Sequence, residues 1–290
     1  MIRSIQAAEG GDPLGMNFKR RPKVIAVTSG KGGVGKTNIV ANLAIAFSKQ
    51  GKSVLVLDAD LGLGNIDVLL GLAPRYNLEH VILGEKSLSD VICDGPAGIK
   101  ILPTGSGVEE LTAMTPEQKL LLLSEFDRLE THIDLFLIDT GAGISSNVLY
   151  FNTIAEEIIV ILTPEPTSLT DAYAVIKVLS QKYGEKKFRI IVNMTRSERD
   201  ARDVFQKLSS VSDRFLDVAI DYLGFISMDD YIPMAVAEQK AVVEIYPLAR
   251  SSRELNHLAS KIIQWPESSI PKGSIQLFWK RMFEPATERV

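Results

Sequence analysis

The chain has 290 residues, of which 46% are hydrophobic and 23% charged, and its net charge is −4. This composition is typical of a globular protein and argues against a disordered chain, and the negative charge gives no electrostatic reason to expect nucleic-acid binding. Because Cys93 is the only cysteine, an internal disulfide and a metal site built from paired cysteines within one chain are both excluded.

Short apolar runs alternate with amphipathic stretches from residue 23 onward. Strands are predicted at residues 23–29, 53–59, 99–103, 134–140, 157–163, 188–194 and 222–226. These runs are apolar throughout, which is typical of parallel strands covered on both faces, and helical stretches such as residues 37–50 separate them. The sequence therefore predicts an α/β fold with a single doubly wound, mostly parallel sheet and helices on both faces.

Three segments are expected along the chain. Residues 1–22 are polar and glycine-bearing and predict a flexible leader, residues 23–265 form one domain without an internal linker, and residues 266–290 form a C-terminal tail. The chain contains neither a secretory signal pattern nor an apolar run approaching about 20 residues. We therefore expect a cytoplasmic protein that does not span the membrane.

Residues 30–37, GKGGVGKT, match the phosphate-loop pattern G-x-x-x-x-G-K-[ST] after a predicted strand and before a predicted helix. In such a loop, successive backbone N–H groups and the positive end of the helix bind phosphate oxygens. Lys36 is expected to neutralise the β- and γ-phosphates of a bound nucleotide, and the Thr37 hydroxyl to bind Mg²⁺. The predicted binding residues of this loop are Gly30, Lys31, Gly32, Gly33, Val34, Gly35, Lys36, Thr37 and Asn38.

Polar residues at three other strand ends are candidates for the same site. Asp58 and Asp60 lie at the end of one strand and Asp139 lies at the end of another, and the carboxyl ends of parallel strands form the ligand crevice. Carboxylate oxygens suit Mg²⁺, although Asp58 fits equally well as a residue that only caps a turn. Asn193, at the end of a further strand, carries an amide that can both donate to and accept from an adenine edge, but a turn residue fits there too.

The segment KGGVGKT, residues 31–37, resembles the deviant phosphate loop of the MinD/ParA family of ATPases. The resemblance implies that two chains close face to face over two ATP molecules, and that Lys31 crosses the interface to stabilise charge on the partner's γ-phosphate. The residues alone would favour a solvated surface charge for Lys31. The resemblance further implies that Asp139 is the Walker B carboxylate, that Asp60 positions the attacking water, and that Asn193 contacts the base. The implied catalytic residues are Lys31, Lys36 and Asp60, and the implied metal-binding residues are Thr37, Asp60 and Asp139.

Four longer segments, at residues 58–72, 138–145, 164–177 and 213–226, resemble the flagellar-number regulators of the FlhG (FleN) group. The resemblance implies an ATP-dependent dimerisation switch with slow hydrolysis that regulates flagellar number or placement. It also implies the flagellar GTPase FlhF, flagellar C-ring proteins or a flagellar transcription regulator as partners. The alternatives are a MinD-type septum-positioning ATPase, a ParA-type DNA-segregation ATPase and a metabolic kinase.

The tail segment at residues 272–284, KGSIQLFWKRMFE, predicts an amphipathic helix. At 100° per residue, one face collects most of its large apolar side chains, and Lys272, Lys280 and Arg281 supply positive charge. A helix packed on its own domain fits this pattern, and so does a helix that lies on an anionic membrane. The family resemblance implies ATP-dependent peripheral association with the inner face of the cell membrane. The apolar face comprises Ile275, Phe278, Trp279, Met282 and Phe283.

Overall fold

The computed structural model describes residues 22–60, 64–104, 115–128 and 133–266. Its strands form one sheet in the order β3-β4-β2-β5-β1-β6-β7-β8, and every neighbouring pair is parallel except β3 with β4. In chain order the strands are β1 (Lys23–Ser29), β2 (Val54–Ala59), β3 (Cys93–Asp94), β4 (Lys100–Leu102), β5 (Leu135–Ala142), β6 (Glu157–Leu162), β7 (Lys187–Thr195) and β8 (Ala219–Ser227).

Helices cover both faces of this sheet, as the apolar strand sequences require. The helices are α1 (Lys36–Lys49), α2 (Ile66–Leu69), α3 (Leu78–Ile82), α4 (Leu88–Val91), α5 (Pro116–Arg128), α6 (Ser146–Ile154), α7 (Pro166–Tyr183), α8 (Glu198–Phe215), α9 (Tyr231–Ala237), α10 (Val242–Ile245) and α11 (Arg250–Ile263). On one face of the sheet, one apolar cluster contains residues of α1, α10 and α11. On the other face the described residues form two clusters, one with residues of α3 to α6 and one with residues of α7 and α8. The predicted doubly wound, mostly parallel α/β sheet is confirmed.

Each predicted strand is present, and β1 has the predicted bounds. The largest difference is at β8, which begins at Ala219 and not at residue 222, because its first half is partly exposed and lacks a continuous apolar run. The sequence does not predict strand β3, because a strand of two residues, one of them charged, gives no apolar pattern. It pairs antiparallel with β4, and Lys100 forms an ion pair with Asp94 across this edge.

The last described turn packs on the first residues of β1 and β7. The Lys23 ammonium donates to the carbonyl oxygen of Trp265 at 2.9 Å, and the Arg189 guanidinium lies 3.8 Å from the centre of the Trp265 ring. Residue 265 therefore lies near the amino ends of the strands, at the edge opposite the phosphate loop. Within the described ranges, no helix is long and apolar enough to cross a membrane.

The predicted leader up to residue 21 and the predicted helix at residues 272–284 lie outside the described residues. The division of the chain into leader, domain and tail therefore stays a prediction.

Candidate functional site

The phosphate loop connects β1 to α1 and owes its shape to glycine. Gly33 and Gly35 have φ angles of 78° and 86°, in the left-handed region that favours glycine. A Cβ atom on Gly35 would lie 2.5 Å from the Asn193 side-chain nitrogen, so a larger residue does not fit there. Gly35 is also the N-cap of α1 and provides no side-chain cap. The first N–H groups of α1 thus face the loop, as an anion site requires.

Lys36 and Asp139 form a buried ion pair at the centre of the site. The Lys36 Nζ atom lies 2.5 Å from Asp139 Oδ1, and the two side chains are only 8% and 1% exposed. Burial raises the pKa of Asp139, and the charge of Lys36 and hydrogen bonds from Lys36 and Thr37 partly offset this effect. Asp139 Oδ2 is buried and has no hydrogen-bond partner among the described residues. Such an unsatisfied oxygen needs an explanation, and an absent cation with its water shell fits it.

Asp58 and Asp60 lie beside this pair. Asp58 is opposite Asp139 in the β2–β5 register and is 3% exposed. Its carboxylate accepts the N–H groups of Asp60 at 3.3 Å and of Ile66 at 3.1 Å, so it anchors the chain that follows β2, consistent with its interpretation as a capping residue. Asp60 is half-buried, and a Cβ atom on Gly141 would lie 3.3 Å from its Oδ1.

The buried carboxylate of Asp58 makes the stability of the nucleotide-free protein depend on pH. Burial, followed by the charge of Asp139, raises the pKa of Asp58 from 3.8 to about 7. The unfolded chain therefore loses this proton at lower pH than the folded protein, and stability falls as the pH rises from about 4 to about 7. The free energy of unfolding is measured with urea for wild type and Asp58→Asn. Between pH 5 and pH 8, the stability of the variant relative to wild type is expected to rise by about 3 kcal/mol. A difference between the two proteins that is independent of pH would contradict this assignment.

Lys31 is held in an ion pair with Glu165, directly before α7. The side chains of Lys31 and Glu165 are 36% and 60% exposed, so the pair lies at the surface. Behind it, a Cβ atom on Gly30 would lie 2.2 Å from the backbone carbonyl of Asp171, so the loop packs directly on α7. Sequence reasoning missed Glu165 as a partner of Lys31, and the only signal was its place in the segment 164–177.

Asn193 reaches the phosphate loop through a bulge in β7. The pairs Val192–Phe225 and Thr195–Ser227 enclose two residues on β7 but only one on β8. The extra residue lets Met194 adopt a φ of 56°, and the buried Asn193 amide donates to the carbonyl oxygen of Val34 at 2.8 Å. The prediction that Asn193 ends its strand is wrong, because β7 continues through the bulge to Thr195.

The remaining predicted residues of the loop differ in exposure. Val34 is buried, Gly32 is exposed with open space around it, and Thr37 and Asn38 are half-buried. The backbone and side-chain oxygens of Asn38 accept from the Asn42 amide at 2.8 and 3.1 Å, which joins Asn38 to the next turn of α1. The structure therefore brings the predicted residues to one edge of the sheet, and their individual roles stay predictions.

Comparison with known proteins identifies the family. The ParA family model, described as a NUBPL iron-transfer P-loop NTPase, matches residues 20–263, which include the whole sheet and the candidate site. The chain belongs to the ParA/MinD family of P-loop ATPases. Members of this family bind nucleotide and hydrolyse ATP, so the predicted family and enzyme class are confirmed.

Individual relatives agree with the resemblance found in the sequence. The chain is 44% identical to the antiactivator FleN of Pseudomonas aeruginosa over 91% of its own length and 95% of that protein. It is 33% identical to the flagellum site-determining protein YlxH of Helicobacter pylori, over 92% and 91% of the two chains. The solved structure of MinD with Mg-ADP from Pyrococcus horikoshii superposes with a TM-score of 0.67 at 28% identity and covers 84% and 96% of the two chains.

Proposed function

We propose that this ATPase is an ATP-dependent dimerisation switch that hydrolyses ATP slowly and regulates flagellar number or placement. The observation that carries the proposal is the 44% identity to FleN across 95% of that protein. The similarity to YlxH, whose name states a role in determining flagellar sites, supports the same assignment. The buried Lys36–Asp139 pair and the glycine-rich loop also support the proposal, because they suit a nucleoside triphosphate with Mg²⁺.

Each residue of the site has a role in this proposal. Lys36, freed from Asp139, and the N-terminus of α1 bind the β- and γ-phosphates, while Thr37, Asp60 and Asp139 hold Mg²⁺ directly or through water. The bound Mg²⁺ would neutralise charge that develops on the phosphates. Asp60 orients the attacking water, and Asn193 recognises the base.

Lys31 completes the site of a second copy of the chain. Its ion pair with Glu165 keeps the ammonium at the surface beside the loop, where a facing copy can reach it. In the dimer, Lys31 leaves Glu165 and stabilises charge on the partner's γ-phosphate, as an arginine finger does. Hydrolysis then depends on dimerisation, and dimerisation on bound ATP.

The proposed partners follow from a flagellar role. They are the flagellar GTPase FlhF, flagellar C-ring proteins or a flagellar transcription regulator, and no nucleic-acid partner is expected. The protein is proposed to be cytoplasmic and to associate with the inner face of the cell membrane through residues 272–284 when ATP is bound. Dimerisation would present two copies of this segment, which supplies avidity that one short helix lacks.

Membrane association is tested by co-sedimentation with anionic liposomes. The wild-type protein is expected to pellet with ATP and to stay in the supernatant with ADP, while Phe278→Glu stays in the supernatant with both, because a charge on the apolar face opposes insertion. Gln276→Glu, on the polar side of the predicted helix, is the matched control. Pelleting that is independent of the nucleotide, or absent under all conditions, would contradict the proposed switch.

Deletion of the gene tests the biological role. We expect cells with extra or misplaced flagella and normal division, because a negative regulator of flagellar number is lost. The competing MinD-type function, favoured by the superposition with Pyrococcus horikoshii MinD, predicts minicells instead. Minicells with normal flagellation would contradict the flagellar proposal.

A further inference from the structure

A carboxylate on α11 binds the end of β8 through two hydrogen bonds. Glu254 Oε2 accepts the Ser227 N–H at 2.7 Å, and Oε1 accepts the Ser227 hydroxyl at 2.7 Å. The Arg250 guanidinium donates to the same Oε1 at 3.1 Å. Ser227 is 1% exposed and the Glu254 side chain 14%, so water competes little with these charge-assisted bonds. We call the pair Ser227 and Glu254 the clasp.

A second carboxylate fixes the turn that follows the clasp. Asp229 Oδ2 accepts the N–H and the hydroxyl of Ser251 at 2.9 and 2.8 Å, and its Oδ1 accepts the Tyr231 N–H at 3.1 Å. Ala249, the N-cap of α11, provides no side-chain cap, so Asp229 supplies one from another part of the chain. The turn between β8 and α9 is therefore bound to α11 on both sides.

The clasp lies directly across from the bulge that carries Asn193. Ser227 pairs with Thr195 in the sheet, the Met228 N–H donates to the Thr195 carbonyl at 2.8 Å, and the Thr195 hydroxyl donates to the Ile226 carbonyl at 3.4 Å. Met194, one residue before Thr195, has a left-handed conformation that is strained for a residue with a side chain. Such a conformation persists only where neighbouring contacts hold it.

We propose that Glu254 is a positioning residue for recognition of the nucleotide base. By fixing Ser227, and through it Thr195, Glu254 holds the β7 bulge in the form that directs Asn193 toward the phosphate loop. Glu254 does not contact the base itself and acts only through Ser227, Thr195 and Asn193, so it is a positioning residue and not a catalytic one. The inference rests on the proposed function, because it assumes that the base of ATP binds beside Asn193.

The proposal is tested by comparing a ligand that has a base with one that has none. ATP and inorganic tripolyphosphate, which has the phosphates but no base, are titrated by calorimetry into wild type, Glu254→Ala, Ser227→Pro and Ser227→Ala. Glu254→Ala and Ser227→Pro, which remove both bonds, are expected to weaken ATP affinity about tenfold and tripolyphosphate affinity much less, because Asn193 makes one hydrogen bond to the phosphate loop but is proposed to contact the base directly. Ser227→Ala keeps the N–H bond and is expected to lose about threefold. Arg253→Ala, at an exposed position on the same helix, is the matched control.

A double-variant comparison separates positioning from general stabilisation. If Glu254 acts through Asn193, adding Glu254→Ala to Asn193→Ala weakens ATP binding no further. Equal weakening of ATP and tripolyphosphate, additive effects of the two substitutions, or wild-type ATP affinity in folded Ser227→Ala and Glu254→Ala would each overturn the inference. If the wild-type protein binds neither ligand, the proposed function itself fails, and the two failures are thereby distinguished.

Discussion

Replacing Lys36 with alanine is expected to abolish ATP binding, with affinity reduced at least about a hundredfold. The Lys36 ammonium is buried beside Asp139 at the start of α1. Without this ammonium, the negatively charged triphosphate would lie next to the buried carboxylate of Asp139, and no positive side chain in the first turn of α1 would offset the repulsion. Isothermal titration calorimetry with ATP measures the loss directly.

This substitution also removes the partner of a buried carboxylate, so folding needs its own control. Breaking a buried ion pair from one side is destabilising, and Asp139→Asn added to Lys36→Ala removes the unpaired charge. Lys207→Ala, at an exposed position on α8, controls for the loss of a lysine. Wild-type ATP affinity in folded Lys36→Ala would exclude a phosphate-loop site.

Replacing Asp60 with alanine is expected to preserve ATP binding and to reduce turnover at least about a hundredfold, because the attacking water is no longer positioned. Both lysines of the loop remain in place to hold the phosphates. The ATP-bound dimer therefore accumulates. Gel filtration with ATP and a phosphate-release assay measure the two effects.

Two results would contradict this role of Asp60. One is a monomer in gel filtration with saturating ATP, and the other is wild-type turnover. Asp203→Ala, at an exposed position on α8, is expected to behave as wild type and controls for the loss of an acidic residue.

The sequence predicts two parts of the site: the phosphate loop, which is a contiguous motif, and the residues at the ends of predicted strands. The phosphate loop is contiguous, so its motif and its place between β1 and α1 can be recognised in a few residues. Asp58 and Asp139 end apolar runs, and a parallel sheet brings such ends to one edge. Their proximity therefore follows from the fold class.

The parts that the sequence does not predict depend on contacts between distant residues or on local register. Lys31 and Glu165 are 134 positions apart, and nothing in either segment indicates that they pair. The β7 bulge shifts the register by one residue where the apolar run has ended, so periodicity gives no sign of it. Glu254 has the pattern of a half-exposed helix residue, and only packing of α11 beside β8 places it on Ser227.

The central claim, an ATPase whose Lys31 acts on the partner's nucleotide, is tested most directly by mixing two inactive variants. Lys31→Ala and Asp60→Ala are combined before ATP is added, and phosphate release is measured. In a mixed dimer, the Lys31→Ala subunit keeps its own Asp60 and receives Lys31 from its partner, so one of the two sites is complete. We predict recovery of the initial rate to about a quarter of wild-type turnover at equal concentrations, since random pairing makes half of the dimers mixed and each mixed dimer has one complete site. No recovery above the separate variants would contradict the account.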